Sequence, residues 1–209
     1  RIDADRGSIH LTSVGDVTVG GLKTRGVQAN AIEITSLTGL IIDGGDQDID
    51  IHANNGGVIL AAFTGVGRDN PLETAIDRLT AYVESIGSIN VLEDDAINLL
   101  NLITHDGNIR IAAGGTITAT SVVSTNTSGV DDRFGEASSH DIMLYANGTP
   151  SDILIQQITA NNSADVLLVA GDDILGIGDA AAAQVIADDL EIIAGNAVGD
   201  GDVAIALTT

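Results

Sequence analysis

Asp141-Ile142-Met143-Leu144-Tyr145-Ala146, Asp165-Val166-Leu167-Leu168-Val169-Ala170 and Asp189-Leu190-Glu191-Ile192-Ile193-Ala194 are three versions of one segment, beginning at a constant step of 24 residues. A turn-forming pair follows each: Asn147-Gly148, Gly171-Asp172 and Gly195-Asn196. One short strand and one turn recurring at the same phase is the signature of a solenoid.

The pattern extends outward to most of the chain. Ser8-Ile9-His10-Leu11-Thr12 alternates apolar and polar residues, as does a strand with one buried face. Gly15-Asp16 leads into Val17-Thr18-Val19, and Gly20-Gly21 turns the chain again. Ala31-Ile32-Glu33-Ile34-Thr35 then restates the opening strand. Later equivalents are Ser88-Ile89-Asn90-Val91, Asn108-Ile109-Arg110-Ile111 and Asp202-Val203-Ala204-Ile205. Three short strands per coil, separated by turns, predict a parallel β-helix of about eight coils.

Aligning the strands predicts two inward columns. One holds Ile9, Ile32, Ile49, Ile89, Ile109, Ile142, Val166, Leu190 and Val203. The other holds Leu11, Ile34, Ile51, Val91, Ile111, Leu144, Leu168, Ile192 and Ile205. The residues between them, Glu33 and Asp50 among them, then point outward. Met143 and Leu167 are the apolar exceptions on that outward row, which makes them candidates for lateral contact between rods.

Two segments interrupt the period. In 61–86, Asn70-Pro71-Leu72-Glu73 reads as a helix start, with a capping Asn, Pro at the first position and Glu three residues on. Leu72, Ile76, Leu79 and Val83 follow at helical spacing, so an amphipathic helix from Pro71 to Val83 is expected against the solenoid. Residues 124–139 are polar and aperiodic, which reads as a surface loop. The expected organisation is one domain over 1–209, with insertions at about 61–86 and 124–139.

Composition narrows the function. The chain carries 8 Lys and Arg against 30 Asp and Glu, a net charge of −22. Phosphate backbones need clustered cations, so nucleic acid is not an expected partner. No apolar run approaches the ~18 residues of a membrane helix. Trp and Cys are absent and Gly numbers 25, which suits a narrow aliphatic core with many tight turns and no disulfides or thiolate metal sites. The chain opens on Arg1 and closes within a strand pattern, so both ends look cut. The rod is expected to continue into adjoining coils or into another copy stacked head to tail.

The densest acidic run is Asp43-Gly44-Gly45-Asp46-Gln47-Asp48-Ile49-Asp50. It partly resembles the calcium-binding nonapeptide of RTX β-rolls, with Gln47 where a glycine belongs and no tandem copy. Two readings stay open: a solvated turn, or a calcium site made by Asp43, Asp46, Asp48 and Asp50. Other acidic corners, at Glu93-Asp94-Asp95, Gly171-Asp172-Asp173 and Asp188-Asp189, fit turns in which Asp accepts backbone amides. Catalytic groupings are missing: a single Lys, scattered Arg, unpaired His and no nucleophile elbow or phosphate loop. No enzyme activity is expected. Asn126, Asn147 and Asn161 each begin an Asn-x-Ser/Thr sequon and are candidate glycosylation sites.

The strands Gly7-Ser8-Ile9-His10-Leu11, Gly87-Ser88-Ile89-Asn90-Val91 and Gly107-Asn108-Ile109-Arg110-Ile111-Ala112, with Gly-Asp turns, resemble the β-helical shafts of filamentous-haemagglutinin-like adhesins and other giant bacterial exoproteins. The resemblance covers nearly the whole chain. It implies a right-handed parallel β-helix, export to the bacterial surface or medium, and a structural role in an adhesive fibre. It implies no catalytic residues. The alternatives are a module binding host or matrix glycans through 124–139 or 61–86, and a polysaccharide lyase on a β-helical scaffold.

Overall fold

The computed structural model describes residues 1–125, 141–162, 164–177, 182–199 and 207–208; of Asn54, Leu207 and Thr208 it describes the backbone alone. The described chain is an all-β parallel solenoid of about 7 turns. Every strand pairing in it is parallel.

Continuous vertical columns hold the coils in register. One face stacks Leu11, Ile34, Leu60, Ala81, Leu102, Val122, Ile158, Val185 and Leu207. A second stacks Val17, Ile41, Val66, Ile89, Ile109, Ile142, Val166 and Leu190. The third is carried by Ile2, Leu22 and Ile51 in the first coils. In later coils Ile97, Ile117, Ile153, Ile174 and Val198 take it over.

The core is aliphatic. Ile32, Ile34, Ile41, Leu60, Leu102, Ile109 and Ile142 are fully enclosed, and each such burial contributes ~1.5–3 kcal/mol. Among the described residues the aromatics sit outside it. Phe63 is exposed, Tyr82 and Tyr145 are partly buried, and the Arg110 guanidinium lies over the Tyr145 ring at 5.6 Å.

The expected columns are right at their first step and from Ile89 and Val91 onward, and wrong between: Ile51, expected on Ile34, lies on another face between Leu22 and Thr74, while Ile34 continues to Leu60. Ile89, Ile109, Ile142, Val166 and Leu190 do stack, and Ile9 does face Ile32. Ile32, however, continues through Val58 to Leu79, on another face from Ile89. All faces use the same short Gly-x-apolar-x-apolar segment, so an alignment by motif can slip by one face. Ile49 belongs to no column and is 38% exposed, while its neighbour Asp50 is 1% exposed. Val203 and Ile205 lie outside the described residues.

The expected helix at Pro71–Val83 is a strand. Leu72–Ile86 runs 15 residues and pairs with Ile51–Ala62 on one side and Ile97–Asp106 on the other. Leu72, Thr74 and Ile76 point inward, then Leu79, Ala81 and Val83 do so. Between Ile76 and Leu79 the chain turns a corner and the alternation shifts phase by one residue. Two period-2 runs joined by that shift place apolar residues at i, i+4, i+7 and i+11, which imitates a helical stripe. Segment 61–86 is thus no insertion but part of the ladder. Of the expected loop at 124–139, Ser124 closes the strand Val122–Ser124, and residues 126–139 lie outside the described set.

One corner is lined by stacked glycines. A methyl group on Gly148, Gly171 or Gly195 would overlap the backbone carbonyl oxygen of Gly114, Gly148 or Gly171, respectively. Adjacent turns meet there backbone to backbone, and only glycine fits.

Candidate functional site

Two arrangements of carboxylates recur or cluster among the described residues. In the first, the carboxylate is already used by the coil above. Asp141 Oδ2 accepts the amide of Asp165 and Asp165 Oδ1 that of Asp189, each at 3.0 Å. A parallel series runs along another corner. Thr116 Oγ1 accepts the Asp152 amide at 3.2 Å, Asp152 Oδ1 the Asp173 amide at 3.1 Å, and Asp173 Oδ1 the Ala197 amide at 2.8 Å. Asp16 Oδ1 holds the Leu40 amide in the same way at 2.9 Å. These are turn aspartates, each closing the next coil.

Glu93 is a buried variant, 2% exposed. Its carboxyl accepts from Thr74 Oγ1 at 2.6 Å, from the Ile76 amide at 3.1 Å and from the Asp95 amide at 3.4 Å. Burial outweighs these donors and pushes its pKa up to about 8.

The second arrangement is the group formed by Asp43, Asp50 and Glu73. Each offers a carboxylate oxygen, and these oxygens lie within 4.8 Å of one another. Three elements supply them. Asp43 ends the strand Ile41–Asp43, Asp50 precedes the enclosed Ile51, and Glu73 follows the enclosed Leu72 one coil on. The Asp50 amide donates to the Glu73 carbonyl at 2.9 Å, so the two side chains leave the same rung. Asp43 Oδ2 accepts from the Gly45 amide at 2.8 Å and from Asn70 Nδ2. Asp43 Oδ1, both oxygens of Asp50 and Glu73 Oε2 are buried and have no well-formed hydrogen bond.

Asp50 is the most perturbed member. Burial, then the charge of Asp43 and that of Glu73, raise its pKa to about 8. Glu73 is shifted upward too, first by burial. Beside Asp50 lies a cavity of about 450 Å³ bordered by Arg1, Lys23, Asp46, Asp48 and His52. Burial and then Lys23 lower the His52 pKa.

Of the four residues expected to hold calcium, Asp43 and Asp50 come together. Asp46 and Asp48 are exposed on the turn, where Asp46 Oδ1 accepts the Asp48 amide at 2.9 Å. Glu73 was hidden from the sequence because it read as a helix-capping residue. The signal that would have exposed it is a carboxylate one coil after Asp50, at a step of 23 residues.

The other expected sites separate. Met143 is 3% exposed, which removes it from the accessible surface, while Leu167 is partly buried. They do stand on adjacent rungs, as the repeat required. Asn147 is exposed at a corner and Asn161 is partly buried, its backbone N–H donating to the Ser124 carbonyl. Asn126 lies outside the described residues.

The class that this geometry defines is the parallel β-solenoid. Compared with protein-family models, curated proteins and solved structures, the chain matches none.

Proposed function

We propose that the protein is a structural shaft of a secreted or cell-surface bacterial fibre, in which coils stack end to end into a rod or filament. The observation that carries this is the unbroken column from Leu11 to Leu207. Each coil meets the next through parallel rungs and stacked aliphatic side chains, joined at several junctions by aspartate-to-amide bonds. Such a surface is suited to receive a further coil, whether of the same polypeptide or of another copy. The work done is mechanical: uniform stacking holds something at a distance. The place proposed for it, outside the cell, rests on the resemblance of its repeats to adhesin shafts.

Negative-stain imaging of the purified chain tests the filament. Filaments of ~20–30 Å width, lengthening with concentration, are the expected result. Uniform short rods at every concentration would end the idea of head-to-tail stacking between copies. Protease shaving of intact producing cells tests the location: loss of the protein while cytoplasmic markers survive is expected.

A further inference from the structure

We infer that Asp43, Asp50 and Glu73 bind one hard divalent cation of the calcium class through their carboxylate oxygens. This goes beyond the proposed shaft and does not depend on it.

Proximity of acids is only the start of the case. Asp50 is 1% exposed, and neither of its oxygens has a well-formed hydrogen bond: only the Asp43 and Glu73 carboxyls and the Glu73 backbone come near them. Asp43 Oδ1 and Glu73 Oε2 are buried and lack one as well. Buried oxygens without donors are rare in native proteins, because desolvation is then uncompensated. Here four of them belong to three carboxyls whose ligand atoms lie within 4.8 Å of one another.

Among the described residues no ion pair neutralises the group, although Arg1 and Lys23 border the adjoining cavity. The described ion pairs join His10 to Glu33, Arg25 to Asp5 and Arg68 to Asp69, and none reaches this group. A shared proton relieves one pair of oxygens and leaves the rest bare. A cation can be shared by all three carboxyls at once, through one oxygen of each. Oxygen-only donors, irregularly disposed and capable of bidentate binding, suit calcium better than magnesium, which demands near-octahedral order. Water from the adjoining cavity can complete the shell.

The contrast with Asp152, Asp172 and Asp173 sharpens the assignment. Those carboxylates also cluster, but Asp152 and Asp173 already accept backbone amides. Part of that group is engaged by the fold, and none of its oxygens is buried without a partner.

Calcium and magnesium chloride are titrated calorimetrically into the chelator-treated full chain, and unfolding is followed with and without each ion. We expect saturable calcium binding at this site, a calcium-dependent rise in Tm, and weaker binding of magnesium. Asp50→Asn and Glu73→Gln each weaken calcium binding by roughly tenfold or more, and Asp172→Asn leaves it unchanged. Without calcium, Asp50→Asn melts no lower than the wild type, because an amide of the same shape needs neither a countercharge nor a bound proton beside Asp43 and Glu73. The inference is overturned by absence of heat and of any Tm rise at millimolar calcium. It is equally overturned if both variants bind as the wild type does, or if Asp50→Asn destabilises the cation-free chain. Should Asp50→Asn fail to fold, that last outcome applies.

Discussion

The backbone amide of Asp189 donates to the carboxylate of Asp165, one coil earlier, at 3.0 Å. The relationship repeats between Asp165 and Asp141, so an acidic side chain acts as a vertical clip between turns. Asp165→Ala removes the acceptor and strands the Asp189 amide. A loss of about 0.5–2 kcal/mol is expected, read from urea unfolding. Asp165→Asn keeps a carbonyl acceptor and stays within ~0.5 kcal/mol of the wild type. Equal losses in both variants would show that charge, not the hydrogen bond, matters.

Gly171→Ala places a methyl against the Gly148 carbonyl oxygen. Two turns have to part, and a loss above ~3 kcal/mol or failure to fold is expected. Gly45→Ala is the control. Gly45 has φ +89° but open space around it, so only the backbone strain of about 1 kcal/mol applies. Thermal unfolding of the pair separates crowding from strain.

Ile111 is fully enclosed, stacked between Val91 and Leu144. Ile111→Ala should cost about 2–5 kcal/mol. Leu92, one residue after Val91, is 42% exposed, and Leu92→Ala should cost no more than ~1 kcal/mol. Comparable losses would mean that the inward and outward phases are reversed.

Glu93 governs a pH dependence of definite sign. Its pKa stands at about 8 in the folded chain against 4.5 when free. The folded state therefore holds a proton that the unfolded state has released between those values. The stability it confers is complete below pH ~4.5 and is lost as pH rises through ~8. In the cation-free protein Asp50 acts in the same direction. Between pH 5 and 8 the wild type should lose about 1–4 kcal/mol relative to Glu93→Gln, measured by denaturant unfolding at each pH. A constant difference would show that Glu93 is ionised throughout.

Legibility in the sequence followed the regularity of the repeat. From Asp141 to Ala194 the step is constant, and the repeat coincides with the observed rungs Ile142, Val166 and Leu190. Earlier the coils vary in length, and one motif serves every face, so alignment by motif sets Ile32 against Ile49, in one column with Ile89, instead of against Val58. The phase shift between Ile76 and Leu79 disguised a strand as a helix. That error carried a second one with it, because Glu73 read as a cap could not also be read as a neighbour of Asp50. The acidic run from Asp43 to Asp50 drew attention to residues close in sequence. In a solenoid the partners of a residue lie one coil away, and Asp46 and Asp48 turned outward while Glu73 came in from the next rung.

The stacked glycines have a consequence for size. Where Gly114, Gly148, Gly171 and Gly195 succeed one another, nothing but backbone separates the turns. Their spacing is then set by the amide-to-carbonyl contact, ~4.8 Å, and no side chain can stretch or compress it. Length along the axis is accordingly counted in whole turns. Adding or deleting one repeat would change reach by a fixed increment and leave thickness untouched, which makes the gene's repeat number a ruler.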